Sequence, residues 1–295
     1  MKLLTSLCVL ALLLSTTLSA HAADESEKVQ AHRDLEYARI DDQPLRLNLF
    51  VPKDASAPPP LVVYIHGGSW MRGSYKECPL TWLAEEGYAV ASISYRFSQQ
   101  AIFPAQIHDC KGAVRWLRAH AKEYGFDGSR VVVAGSSAGG HLAVLLGTSH
   151  EVKELEGATG GNLDQSSQVA AIVDFYGPAD FILRSKTQPS RANVPGSSTF
   201  GLLGGPASEK VDQARLASGV THVTSDDPPL WIIHGDADKT VLLDQSQRLR
   251  DVYQAAGLDV TMTVLPGAGH GGKEYNTPEV HKLLQGFLSK HTTRR

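Results

Sequence analysis

Five short, almost uninterrupted apolar runs constrain this chain more than any other feature. They occupy residues 61–65, 88–93, 131–134, 170–173 and 230–233, and residues 260–265 read as a further strand. A strand that is apolar in both side-chain directions must be covered on both faces, which is the pattern of a buried parallel sheet. Helical segments fill the intervals. Over residues 105–124, Ile107, Cys110, Ala113, Val114, Leu117 and Ala121 recur at spacings of three and four and form one apolar face. Further helices are expected over 138–146, 242–256 and 278–289, the last with Pro278 suited to its first turn. Strands alternating with helices give an α/β fold with a mostly parallel sheet and helices on both faces. Ahead of it, residues 36–40 and 45–50 alternate about the polar turn Asp41-Asp42-Gln43-Pro44 and predict an antiparallel hairpin.

The chain has 295 residues and is 42% hydrophobic, enough for one sizeable core. There is no internal repeat, and residues 23–295 read as a single domain. Lys2, the apolar stretch 3–18 and Ala20-His21-Ala22 have the form of a signal peptide cut after Ala22, which predicts a secreted or periplasmic protein. No other stretch is long and apolar enough to span a membrane, and stable membrane insertion is not expected. A net charge of −3 offers no attraction for nucleic acid. Cys78 and Cys110 would remain after cleavage, either as a disulfide or as two separate buried thiols. Residues 176–229 break the rhythm: 54 residues without clear periodicity, rich in Ser, Gly and Pro around Pro195-Gly196-Ser197-Ser198. Such a length marks a lid or pocket-shaping insertion, with helix expected near 179–183 and 206–216.

The chemistry is carried by three motifs. Gly135-Ser136-Ser137-Ala138-Gly139 lies between a buried strand and a helix, the setting of a nucleophile elbow, with Ser137 at its centre. His66-Gly67-Gly68-Ser69-Trp70 closes an earlier strand. The amides of Gly68 and Ser69, or of Gly67, would join that of Ala138 as an oxyanion hole, with His66 as a loop-stabilising residue. A serine nucleophile needs a base oriented by an acid. His270, in the glycine-rich stretch 267–272, follows the last strand; His281 and His291 lie on or beyond the terminal helix and read as solvent-facing. In His234-Gly235-Asp236-Ala237-Asp238 the first choice of acid is Asp238, with Asp236 next and Asp174 third. Residues 267–272 also fit G-x-G-x-x-G, but too little chain follows for the βαβ unit a dinucleotide site requires. No zinc or phosphate-binding motif is present, so neither metal nor cofactor is expected.

These motifs, together with Phe103-Pro104-Ala105-Gln106-Ile107-His108-Asp109-Cys110-Lys111 and Val114-Arg115-Trp116-Leu117-Arg118, resemble the α/β-hydrolase superfamily. The similarity is to its acetylxylan/feruloyl esterase and hormone-sensitive-lipase-like branches, from about residue 39 to 287. The resemblance implies eight strands with an antiparallel start, a triad of Ser137, Asp238 and His270, and no cofactor. It favours Asp238, because the family pattern is His-Gly-x-x-Asp followed by an apolar residue, here Val241. Ser69 departs from it where many relatives carry a third glycine. The expected activity is hydrolysis of a small-molecule or polysaccharide-linked ester through an acyl-enzyme, with acetylated or feruloylated xylan a first guess. Two alternatives stand beside it: a formamidase or amidase of the kynurenine formamidase type, and a catalytically inactive binding module on the same fold.

Overall fold

Successive side chains of a strand point to opposite faces of its sheet, and both faces are filled here. The computed structural model describes residues 27–293; the signal-peptide reading, on residues 1–22, lies outside them. The strands are β1 (Val29–Ile40), β2 (Gln43–Pro52), β3 (Pro60–Ile65), β4 (Ala89–Ile93), β5 (Asp127–Ser136), β6 (Ala171–Phe175), β7 (Leu230–Gly235) and β8 (Val260–Leu265). Helices α1 (Ala105–Ala119), α2 (Ala121–Tyr124), α3 (Ala138–Thr148) and α4 (Lys153–Glu156) precede β6. Between β6 and β7 come α5 (Phe181–Thr187), α6 (Pro189–Ala192), α7 (Ser198–Leu203) and α8 (Val211–Ala217), and α9 (Asp244–Ala255) and α10 (Pro278–Thr292) complete the chain.

The eight strands form one sheet in the order β1-β2-β4-β3-β5-β6-β7-β8. The β1–β2 and β2–β4 pairs are antiparallel and all others parallel. This is the mostly parallel α/β-hydrolase arrangement with an antiparallel N-terminal hairpin. Leu61, Val63 and Ile65 of β3 and Val131 and Val133 of β5 pack with Ile107, Val114 and Leu117 of α1, Leu142 and Leu145 of α3 and Leu249 of α9. The alternate residues Val62, Tyr64, Val132, Ala134, Trp231 and Ile233 meet Leu83 and, from α10, Val280, Leu284 and Leu288. Cys110 belongs to the first of these cores and Cys78 packs against the second, so the sheet separates the two thiols and both are free.

Strand order reverses around β3, whose successor β4 lies on one side while β5 lies on the other. The chain segments leaving β3 and β5 therefore diverge and open a crevice at the carboxyl ends of adjacent strands, where α/β sheets bind ligands. The register sets Ile65 beside Gly135, so the 66–70 loop and the 135–139 turn begin side by side.

The single helix expected over 105–124 is interrupted. His120 departs from helical dihedrals at φ −103°, ψ 8°, with its ring Nδ1–H donating to the Trp116 carbonyl at 2.8 Å. α1 is fixed by ions. Asp109, wholly buried, accepts from the Arg96 guanidinium at 2.7 and 2.8 Å. Lys111 and Arg115, buried on the same helix, both reach Glu156 at the end of α4. Burial would raise the Glu156 carboxyl, but Lys111, Ser167 and Arg115 outweigh it and lower it. Glu156→Gln leaves two buried cations without a counter-charge and is expected to cost about 3 kcal/mol in equilibrium urea unfolding.

Candidate active site

The turn after β5 is built around missing side chains. A Cβ on Gly135 would lie 2.2 Å from the Gly139 carbonyl oxygen, and one on Gly139 would lie 2.0 Å from that of Ile65. With both positions bare, the chain reverses from strand into α3 within one residue. Ser137 takes the turn at φ 54°, ψ −117°, a region that costs a non-glycine residue roughly 1–3 kcal/mol. Its amide donates to Phe175 O at 2.8 Å and its carbonyl accepts from His141 N at 3.0 Å, which hold the strained residue in place.

The Ser137 Oγ–H donates to His270 Nε2 at 2.8 Å, and His270 Nδ1–H donates to Asp238 Oδ2 at 2.6 Å. The structure thus joins Ser137, His270 and Asp238 in one hydrogen-bonded chain, from three separate strand ends. Asp236 is instead exposed and accepts from the Gly267 amide at 2.7 Å.

Asp238 is buried and all its lone-pair directions are used. Oδ1 accepts from the amides of Thr240 and Val241 at 2.7 and 3.0 Å, and Oδ2 accepts a second N–H, from His234 Nε2 at 3.2 Å. The same Nε2 contacts the Val241 carbonyl at 3.0 Å; a carbonyl can only accept, so this nitrogen carries the proton. Ser246 Oγ–H then donates to Nδ1 at 2.7 Å. Burial alone would push the Asp238 carboxyl up, but the bonds from His234, His270 and the Val241 amide hold it well below the usual carboxylate range.

The 66–70 loop crosses the elbow. A Cβ on Gly67 would lie 2.9 Å from Ser136 O and 3.4 Å from the Ser137 Cβ. Gly68, Ser69 and Trp70 all have positive φ, at 113°, 60° and 58°. Among the described residues, the amides of Gly67, Gly68, Ser69 and Ala138 have no internal acceptor. His66 serves the loop: its Nδ1–H donates to Gly67 O at 2.7 Å and its ring stacks on Tyr95, with centroids 4.5 Å apart. Trp70 Nε1–H donates to His141 Nδ1 at 3.1 Å, and His141 Nε2–H donates to the Ala217 carbonyl at 2.7 Å, so one imidazole ties together the loop, α3 and α8. Burial pushes His141 down to about 4, and it bridges as a neutral ring.

The sequence placed His234 at the head of the motif that carries Asp238 but gave it no role, and it did not single out Tyr275. The Tyr275 hydroxyl accepts from Gly235 N at 2.7 Å and donates to Gly269 O at 3.0 Å, tying the loop of His270 to β7. Nothing in the spacing marked it. His281 and His291, expected in solvent, are half-buried. His281 stacks on Trp82 with centroids 4.0 Å apart and His291 packs on Phe287 at 4.7 Å, because α10 lies flat against the second core. Among the described residues, no cluster of three or more His, Cys, Asp or Glu side chains is placed to hold a metal ion, and no helix is long and apolar enough to cross a membrane.

Residues 47–253 match the family described as BD-FAE, from within β2 to within α9. The chain belongs to the BD-FAE family. The BD-FAE match takes in the 66–70 loop, Ser137, His234 and Asp238 and stops short of His270. Esterase LipC of Mycobacterium tuberculosis is 32% identical over 239 residues, covering 78% of this chain and 58% of LipC. This BD-FAE chain spans about half the length of the curated relatives it matches. Among solved structures, a truncated carbohydrate esterase from gut microbiota superposes with a TM-score of 0.83 at 32% identity, covering 90% of this chain and 97% of that one. A bifunctional GH43-CE protein of Bacteroides eggerthii gives 0.82 at 30% identity, covering 89% of this chain and 35% of its own.

Asp174, the third candidate acid, sits at the end of β6 away from His270. It is fully buried: Oδ1 accepts from Gly177 N at 2.9 Å and Oδ2 has no partner. Burial raises its carboxyl to about 6, against the Gly177 amide and the His234 ring, which lower it. A pKa raised in the folded state means that folding takes up a proton between about pH 4 and 6, so stability falls as pH rises through that window. Asp174→Asn removes the titration. Relative to the wild type, its unfolding free energy should improve by roughly 2 kcal/mol between pH 4 and pH 7, measured by urea unfolding at both values.

Proposed function

We propose that this protein is a serine carboxylic-ester hydrolase that acts through an acyl-enzyme. One observation carries the reading: the Ser137–His270–Asp238 hydrogen-bond chain ends beside backbone amides that no internal group uses. Ser137 Oγ attacks the ester carbonyl as His270 Nε2 takes its proton. Asp238, held ionised, keeps the imidazole in the Nδ1–H tautomer and stabilises the imidazolium. The oxyanion of the tetrahedral intermediate accepts from the amides of Gly68, Ser69 and Ala138, each such donor contributing on the order of 3 kcal/mol to the transition state. Collapse breaks the bond to the alcohol oxygen, which leaves with the proton from Nε2. Water then attacks the acyl-serine and gives a proton to the same nitrogen, which passes it to Ser137 Oγ as the acyl bond to that oxygen breaks and the carboxylic acid leaves.

Residues 23–295 form the catalytic domain in this reading, and 176–229 shape its pocket. The likeness to a carbohydrate esterase supports a sugar hydroxyl as the leaving alcohol, and hence an acylated polysaccharide or its fragments as substrate. Export through residues 1–22 would bring the enzyme to such a substrate. Ser137→Ala should lower hydrolysis of 4-nitrophenyl acetate by at least about 1,000-fold and abolish labelling by a fluorophosphonate probe; retained activity would overturn the assignment. Export is checked separately: N-terminal sequencing of the protein recovered outside the cytoplasm should begin at Ala23.

A further inference from the structure

Next to the loop that crosses the elbow lies an open cleft of about 680 Å³, lined by Gly68, Ser69, Arg72 and Gln99 on one side and by Arg191, Ser197 and neighbouring residues on the other. That volume suits a sugar residue or a ligand of similar size. Its charge is one-sided. Two arginines line it, no acidic side chain does, and neither guanidinium has a hydrogen-bond or ion-pair partner among the described residues. The Ser197 hydroxyl is likewise without a partner. On α5, buried Arg184 is in no salt bridge either among the described residues, and its Nε and Nη1 are unpaired. Burial, and then the charge of Arg191, push Arg184 down to about 10, against Asp238 and Asp244, which raise it.

The arginines are placed by rigid backbone. Met71 N and Arg72 N both donate to Gly68 O at 3.1 Å, so the turn that presents the Gly68 amide also sets the start of the Arg72 side chain. Gln99 Nε2–H donates to Met71 O at 3.1 Å and Ser98 N to Trp70 O at 2.8 Å, which fasten that turn to the chain after β4. Arg191 stands on α6, whose last turn is held by Asn193 Nδ2–H donating to Ser185 O at 3.1 Å. An unpaired guanidinium presents a planar fork that matches a carboxylate. Two of them line the same cleft as Gly68 and Ser69, whose amides are proposed for the oxyanion.

We propose that the cleft between Arg72 and Arg191 is a carboxylate subsite, and that the preferred ester substrates carry a carboxylate near the scissile bond, on the acyl group or on the sugar. A glutaryl- or succinyl-type half-ester would supply it from the acyl side and a uronic acid residue from the alcohol side. The inference rests on the proposed ester hydrolysis at Ser137.

Two matched pairs test it with the wild-type enzyme: 4-nitrophenyl hemisuccinate against 4-nitrophenyl butyrate, and an O-acetylated methyl glucuronoside against the same acetylated methyl glucoside. In at least one pair the carboxylated member should have the higher kcat/KM, by about tenfold, expressed mainly in KM and weakened by salt. The pair that shows it names the side on which the carboxylate is carried. Arg191→Gln and Arg72→Gln should each bring the charged-to-neutral ratio of that pair toward one. Loss of a structural contact would lower both members together and leave the ratio unchanged, which would overturn the proposal. So would a wild-type ratio of one or less in both pairs while neutral esters are still cleaved. If no ester is cleaved at all, the hydrolase reading itself has failed.

Discussion

The crowding between the turn after β5 and the end of β3 governs this molecule. The Gly139 Cα faces the Ile65 carbonyl so closely that a single methyl group would collide with it, and Gly135 is similarly pressed against Gly139. Close approach of two backbones leaves no side-chain layer to adjust, so the position of Ser137 is set by main-chain geometry alone. The cost of its positive φ is offset by two backbone hydrogen bonds and by the burial of Ala138, Leu142 and Leu145 in the helix that follows. The other groups of the site are brought to a serine whose backbone is fixed at both its amide and its carbonyl.

Asp238 supplies the complementary electrostatic anchor. A buried carboxylate is tolerated only when its oxygens are saturated with donors, and here two imidazoles and two amides do so. His234 contributes from inside β7, where burial lets a 3.2 Å bond matter more than it would in water. Its proton is assigned by a neighbouring carbonyl that can only accept, so the acid is supported without competition for its own ionisation. His141 uses the same logic on the other side of the elbow. As a neutral, fully buried ring it accepts from Trp70 and donates to Ala217, joining three segments that are far apart in the chain.

The strands and the serine were legible because their physical requirements are local. Apolar side chains in both directions announce a strand covered twice, and glycines on either side of Ser137 announce a turn too tight for a Cβ. Among the candidate acids Asp238, Asp236 and Asp174, the preference for Asp238 drew its support from the resemblance, through its pattern of an apolar residue after His-Gly-x-x-Asp, here Val241. His234 was visible as the head of that motif, but its bond to Asp238 was not, since a histidine at a strand end is indistinguishable from a satisfied core residue until its partners are known. Tyr275 acts through a hydroxyl that bridges two backbones 34 residues apart, which no spacing rule reports. The break at His120 is a change of backbone dihedrals at one residue, which the helical periodicity does not encode. Residues 176–229 were opaque for a different reason: four short helices, none longer than seven residues, cannot establish a periodic stripe.

The route of that segment has a consequence of its own. It departs from β6 and returns to β7, neighbouring strands in register from Ile172 and Leu230, so its two ends are pinned by the sheet whatever lies between them. Its helices pack largely on one another, and it meets the site at several points: the Tyr176 ring on His270 with centroids 4.8 Å apart, Phe181 on Trp70 and His141, the Ala217 carbonyl on His141, and Arg184 with Gln188 on the backbone beside Asp238. The segment is therefore pinned at both ends by the sheet and along its length by residues such as Phe181, Leu202 and Ala214 that enter the main core. If the segment shapes the pocket as proposed, changes in its middle would alter that wall while the ends of β5, β7 and β8, which carry Ser137, Asp238 and His270, keep their register.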